Sequence, residues 1–219
     1  MPETLLPGLS LIADAHALAP RIVALRRAIH AEPELGLMTP KTRDKVRGAL
    51  AHLPLEWREG PSTTGLVARL KGGAGSASNR AVLLRGDMDA LPMPEETGLP
   101  FASRIEGAMH ACGHDAHTAM LAGAAELLCA RAAHLPGDVL FMFQPGEEGW
   151  HGARHMLDDG LLEWEGRSLP DSAFALHVMR RRTRSGSSSK GAGGMPRCRI
   201  RRSTRCRSPA RSSWRSRPW

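Results

Sequence analysis

The sequence predicts an α/β fold, a three-layer sandwich around a largely parallel, mixed sheet, and three observations predict it. Short apolar runs at 65–70, 81–85, 139–143 and 173–177 alternate with segments of helical periodicity, the pattern of strands joined by crossover helices. Residues 139–143 are apolar without a break, as expected of a parallel strand covered on both faces. Three of the runs release into polar groups, Asp87 with Asp89, Glu147 with Glu148, and His177. The carboxyl ends of strands are where open α/β sheets bind ligands.

Taken in order, Leu11, Ala15, Leu18, Ile22, Leu25, Arg26 and Ile29 trace one face of a first helix. It stops before Pro33, whose ring disfavours a helical residue ahead of it. Pro40 suits the first position of a second helix, which starts after Thr39 and is expected to run to about His52. Residues 65–70 and 81–85 read as strands separated by the Gly- and Ser-rich loop 71–79. Thr118, Met120, Leu121, Ala124, Ala125, Leu127 and Leu128 give a third helix. Asp115 stands where its N-cap belongs, and its end falls near Leu135 to Gly137. After the 139–143 strand, a short helix from about Gly152 to Leu157 leads to 173–177, expected as another buried strand with His177 at its exit.

The chain has 219 residues and a formal net charge of +8, but the charge is unevenly spread. Residues 180–219 hold 13 arginines and Lys190 with no acid, so the first 179 carry a net −6. The first 27 residues lack a basic leader, and Asp14 interrupts their apolar run, so neither a signal peptide nor a membrane span is indicated. Cys112, Cys129, Cys198 and Cys206 are too scattered for a disulfide framework. A cytoplasmic setting is expected.

The densest chemistry lies in 109–117, Met-His-Ala-Cys-Gly-His-Asp-Ala-His, where one thiol, three imidazoles and a carboxylate precede an apolar helix. Cys112 and His114 are two apart, so in a tightly turned segment both project to one side and could share an ion, with Gly113 permitting the bend. A helix N-terminus there would favour a thiolate. For His110 and His117, ligation and ordinary packing both stay open. Glu147 and Glu148, if extended, point apart, so that one can bind metal while the other faces a substrate. Thiolate, imidazole and carboxylate donors together suit Zn²⁺ or, with carboxylate and water added, Mn²⁺.

Arg85 to Pro92 (RGDMDALP), His110 to Asp115 (HACGHD), Phe143 to Glu148 (FQPGEE) and Ala175 to His177 (ALH), in that order, resemble the hippurate hydrolase family of amidohydrolases, relatives of aminoacylases and dimetal carboxypeptidases. The likeness covers about 20–178 and implies a partial catalytic domain of a dimetal amidohydrolase. It further implies that Cys112, His114, Glu148 and His177 ligate two divalent ions, Mn²⁺ or Zn²⁺, that Glu147 is the general base, and that Asp89 is a carboxylate supporting the ligands. The implied substrate is a small N-acyl amino acid. The family's fifth ligand, a histidine near its C-terminus, and its lid domain, through which relatives dimerise, are not recognisable in this chain. Truncation and impaired hydrolysis follow as expectations.

Residues 180–219 are expected to be a disordered basic tail read out of frame, since they are rich in Arg, Ser, Gly and Pro and lack any acid, Leu, Val or Phe. Gly194 to Ile200 reverse-translate, with permitted codons, into a shifted frame reading His-Ala-Ser-Met-Pro-His. This resembles the Gly-Gly-His-Ala-Ser-x-Pro-His motif of the family's lid. Two alternatives stand beside hydrolysis: an inactive metal-binding remnant, and nucleic-acid binding by the arginines with Trp214 and Trp219.

Overall fold

In the computed structural model, residues 11–74, 80–164 and 169–178 are described, with the backbone of 199–200. Apart from that pair, the basic tail expected at 180–219 lies outside the described residues, as do Cys198, Cys206, Trp214 and Trp219.

One mixed sheet runs in the order β1-β2-β4-β3-β5-β6, where β1 is Glu56–Glu59, β2 Leu66–Leu70, β3 Ala81–Asp87, β4 Asp138–Gln144, β5 Ser172–His177 and β6 Arg199–Ile200. Strand β3 is parallel to β4 on one side and to β5 on the other, while β2 is antiparallel to β4. Strand β1 was not legible as a strand, because in Glu-Trp-Arg-Glu only Trp57 is apolar. Backbone pairing with β2, from Glu56↔Arg69 to Glu59↔Leu66, makes it one.

The side-chain alternation of β4 divides the core in two. Val139, Phe141 and Phe143 face helices α2 (Pro40–Leu50) and α3 (His114–Cys129), packing with Leu66, Leu70, Val46, Leu50 and Leu121. Leu140 and Met142 face the other way, onto Met156 of α4 (Gly152–Asp158) and onto Leu161, Leu162 and Trp164. Helix α1 (Leu11–His30) packs along α3. The result is the expected three-layer α/β sandwich. At Gly86 the α3 backbone comes so near the sheet that a Cβ would lie 2.9 Å from the carbonyl oxygen of His117.

Three expectations change. Helix α3 ends at Cys129 and a short 3₁₀ turn, Ala132–His134, takes the chain on, using tighter i to i+3 bonds such as His134 N–H to the Arg131 carbonyl. Helix α2 closes at Leu50, two residues before His52. Strand β5, expected to be buried, is half-exposed, with Phe174 and Leu176 each 40% accessible. The described helices pack over β3 and β4, and their cover thins at β5.

Phe141, fully buried between layers, and Phe174, on the thinly covered strand, should therefore respond differently to truncation. Phe141→Ala is expected to lower the unfolding free energy by about 3–5 kcal/mol, and Phe174→Ser by about 1 kcal/mol or less. Urea titrations measure both, and equal losses would contradict the layer assignment.

Candidate metal centre

Because β4, β3 and β5 are parallel neighbours, their carboxyl ends open on one edge, with Asp87 opposite Gln144 and Arg85 opposite Ala175. This edge gathers Asp87, Asp89, Glu147, Glu148 and His177. The start of α3 brings Cys112, His114 and His117 to them. Gly113 caps the helix in the left-handed region at φ +92°, where a Cβ would also collide with Val178 at 2.4 Å. Asp115, expected as the cap, instead lies in the first turn.

The hydrogen bonds fix which ring atoms remain free. His114 Nδ1 sits 2.7 Å from the backbone carbonyl of Asp89, which can only accept, so Nδ1 carries the proton and Nε2 faces the cluster. Around that Nε2 stand Asp87 Oδ1 at 3.7 Å, Glu147 Oε2 at 3.7 Å and Glu148 Oε1 at 3.8 Å. His117 Nε2 accepts the Val178 N–H at 2.9 Å, so its Nδ1–H donates to Asp87 Oδ1 at 2.6 Å. His177 Nδ1 lies 3.2 Å from the same His117 Nε2 and donates to it. His177 Nε2 is thereby left with its lone pair, 4.0 Å from Cys112 Sγ.

Among the described residues, two donor groups are compact enough to hold a cation, Cys112–His114–Glu148 and Asp87–His114–His117. The second is the weaker, since both nitrogens of His117 are already committed. His117 is a packed, hydrogen-bonded histidine that orients His177. His110 is buried too, and neither ring nitrogen has a hydrogen-bond partner among the described residues. Burial pushes its pKa down to about 4, so it is neutral and belongs to the packing.

Electrostatics alters two further expectations. The Cys112 thiol is pushed up to about 12, by burial first and then by Glu148, Asp87 and Glu147. Burial first, and then the carboxylates, oppose the thiolate that a helix N-terminus favours, so the thiolate requires a cation. Glu147 and Glu148 do not point apart, because the chain is turned there: the Asp89 carboxylate accepts the backbone N–H of both, at 2.9 and 3.0 Å. Burial by itself would raise Asp87 and Asp89. Bonds from His117 to Asp87 and from His114 and the two amides to Asp89, with Arg85 beside Asp87, hold both below the usual carboxylate range.

These donors fit a metal ion. Ligands at about 2.0–2.3 Å from one tetrahedral ion stand about 3.3–3.8 Å from each other. The separations around His114 Nε2 are of that size and too long for hydrogen bonds. Burial would lower the His114 pKa, yet Asp89 and Asp87 raise it, so the cluster draws a positive charge to this spot.

Sequence reasoning missed the support behind the loop. Asp115 Oδ2 accepts Arg26 Nε–H at 2.9 Å and pairs with His30 Nδ1 at 2.8 Å, while His30 Nε2 reaches Glu95 at 3.2 Å. The available signal was the four-residue spacing of Arg26 and His30, which puts both on one face of α1.

Among known proteins, the family described as Peptidase family M20/M25/M40 matches residues 83–205, more than half of the chain. The chain belongs to this family. An N-acetylcysteine deacetylase of Bacillus subtilis is 44% identical over 143 residues, 65% of this chain and 37% of its own length. An IAA-amino acid hydrolase of Arabidopsis thaliana is 41% identical over 157 residues, 72% of this chain and 34% of its own. The B. subtilis YxeP protein, a dinuclear metal binding peptidase of the M20 family, superposes with a TM-score of 0.68 at 41% identity, covering 75% of this chain and 44% of that one. This M20 chain thus spans less than half the length of each of these relatives. No helix among the described residues is long and apolar enough to cross a membrane.

The Asp115 pair has a pH signature. Its hydrogen bond to Asp115, partly opposed by burial, raises the His30 pKa. The stability His30 contributes is then fully present below about pH 6.5 and lost as pH rises through the raised value. With chelator present, the urea midpoint of the wild type is expected to fall from pH 6 to 9 more steeply than that of His30→Gln. Identical slopes would show that the pair is not coupled to folding.

Proposed function

We propose that this M20 chain carries the metal-binding half of an amidohydrolase acting on N-acyl amino acids, with Cys112, His114, Glu148 and His177 as ligands of two divalent ions. The observation that carries the reading is the free Nε2 of His114, ringed by three carboxylates at 3.7–3.8 Å. The names of the relatives support an amide substrate: two kinds are deacetylases and a third is an amino acid hydrolase. Manganese or zinc suits the mixed thiolate, imidazole and carboxylate donors.

When bound, such ions lower the pKa of a water and polarise an amide carbonyl. The chain's residues do the rest. Glu147, the more exposed of the two glutamates, accepts the proton of the attacking water and returns it to the leaving amine nitrogen. Asp89 orients His114 through its carbonyl and both glutamates through its carboxylate. Asp87 orients His177 through His117.

Elemental analysis after dialysis against Mn²⁺ or Zn²⁺ tests the assignment. The wild type and Glu147→Gln should retain metal, whereas Glu148→Gln and the Cys112→Ser/His114→Ala double variant should lose most of it. Any hydrolysis seen with the wild type should vanish in Glu147→Gln. Metal loss in Glu147→Gln alone would reverse the roles of the glutamates, and equal metal content in the double variant would remove the site.

We further propose that residues 180–219 are translated from a shifted frame, on the grounds of their acid-free, arginine-rich composition and the latent His-Ala-Ser-Met-Pro-His reading across 194–200. The family's lid motif would then be lost from 180–219, and the chain read in this frame should show little or no amidohydrolase activity. The family match reaches residue 205, inside this segment, so the nucleotide sequence is the deciding measurement. A frame-correcting change near codon 179 is expected to restore activity. Genomic DNA whose alternate frame lacks the histidine motif would defeat the proposal.

A further inference from the structure

A hollow of about 320 Å³ opens beside the sheet at the starts of β3 and β4, the end opposite the metal centre. Strand β3 is seven residues long, so roughly 20 Å separate the hollow from the Asp87 edge. Val82, Leu84 and Val139 line it from the sheet, Leu128 and Leu135 from α3 and the turn after it, and Arg80 is exposed beside them. Leu84, Leu128 and Leu135 pack only partly against the core. A space of this size, lined chiefly by aliphatic groups, gives water few partners and suits apolar side chains better. The one acid at the hollow, Asp138, is already held by Arg69 at 2.7 Å. Arg80 has no ion-pair partner among the described residues.

Helix α1 begins next to this hollow. Asp14, in its first turn, pairs with Arg131. The backbone N–H of Arg131 donates to the Leu128 carbonyl at 3.0 Å, and its guanidinium donates to the Leu127 carbonyl at 2.9 Å. Leu11 and Ile12, which open α1, are 52% and 71% exposed. Ten residues precede them, Met-Pro-Glu-Thr-Leu-Leu-Pro-Gly-Leu-Ser. Pro7-Gly8 is a turn signal that can reverse the chain ahead of α1, and a residue before proline, here Leu6, favours extended backbone. In extended backbone Glu3 and Leu5 project to one side. The six residues from Leu5 to Leu11 reach up to about 20 Å, enough to carry Leu5 from the start of α1 to a hollow bordered by Leu128. Glu3 is the only charged side chain among the ten, and it complements Arg80.

We propose that residues 1–6 fold back onto this hollow, with Leu5 seated among Val82, Leu128 and Leu135 and Glu3 paired with Arg80. The segment closes the sheet at the end away from the metal centre and leaves the donors of that centre untouched.

Methyl NOE spectroscopy on the full 219-residue chain, isotope-labelled at leucine and valine methyls, tests this. Leu5, identified by the peaks missing in Leu5→Ile, should show cross-peaks to Val82, Leu128 and Leu135. In a mixture of two differently labelled copies, those cross-peaks should arise within one copy. Leu5→Ser should shift the methyl peaks of the same three residues and leave those of Leu140 and Leu161, in the core on the other side of the sheet, in place. Glu3→Arg should weaken the contact of Leu5 with the hollow, and adding Arg80→Glu should restore it. Circular dichroism checks that the variants fold, and the wild-type cross-peaks decide where one does not. Absence of any cross-peak from Leu5 to the hollow overturns the proposal, as does a hollow whose methyl peaks ignore Leu5→Ser. Cross-peaks found only between differently labelled copies also overturn it and make a second copy the occupant. Failure of Arg80→Glu to rescue Glu3→Arg overturns the ion pair.

Discussion

The carboxylate of Asp89, almost wholly buried, accepts the backbone N–H groups of Glu147 and Glu148, while the carbonyl of the same residue accepts from His114 Nδ1. One residue therefore sets the tautomer of a histidine and the turn of two glutamates. These come from the start of α3 and from the loop after β4. A buried carboxylate is costly unless its oxygens are bonded, and Asp89 is kept ionised by those bonds. The same bonds that stabilise the charge hold the donors of the cluster at their 3.7–3.8 Å spacing.

The parallel arrangement of β4, β3 and β5 makes this possible. Strands that run together deliver their exits to one edge, and Asp87, Glu147 and His177 arrive there from three different strands. Beneath them the orienting chains lead outward from the free Nε2 atoms. His177 is held by His117, His117 by Asp87, and Asp87 by Arg85 at 2.6 Å. On the other side Asp115, locked to Arg26 and His30, fixes α1 against the turn that presents Cys112 and His114.

Much of this was readable in the residues, for identifiable reasons. The 139–143 run and the periodic α3 segment follow from burial, and burial leaves its mark on sequence. The convergence of Asp87, Cys112, Glu147, Glu148 and His177 was legible because each follows a strand or precedes a helix. What was hidden depends on hydrogen bonds between distant residues. No pattern in Glu-Trp-Arg-Glu marks β1, whose partner lies across a turn. Asp115 has the residue type of an N-cap, and only its partners on α1, 85 and 89 residues away, reveal its other use. The pair Glu147–Glu148 was read as extended because nothing local shows that Asp89 turns it. The thiol of Cys112 looked activated by its helix, and what opposes this, burial first and then carboxylates, comes from other segments.

On the function proposed above, His114 Nε2, His177 Nε2, Cys112 and Glu148 are the free donors of a metal centre, with His117 spent on hydrogen bonds. Anomalous diffraction from crystals soaked in Mn²⁺ or Zn²⁺, collected on both sides of the metal edge, measures this directly. Anomalous peaks are expected within about 2.0–2.3 Å of those four groups and none within that distance of His117. A peak bonded to the His117 ring, or an edge of the sheet that stays empty at saturating metal, would contradict it.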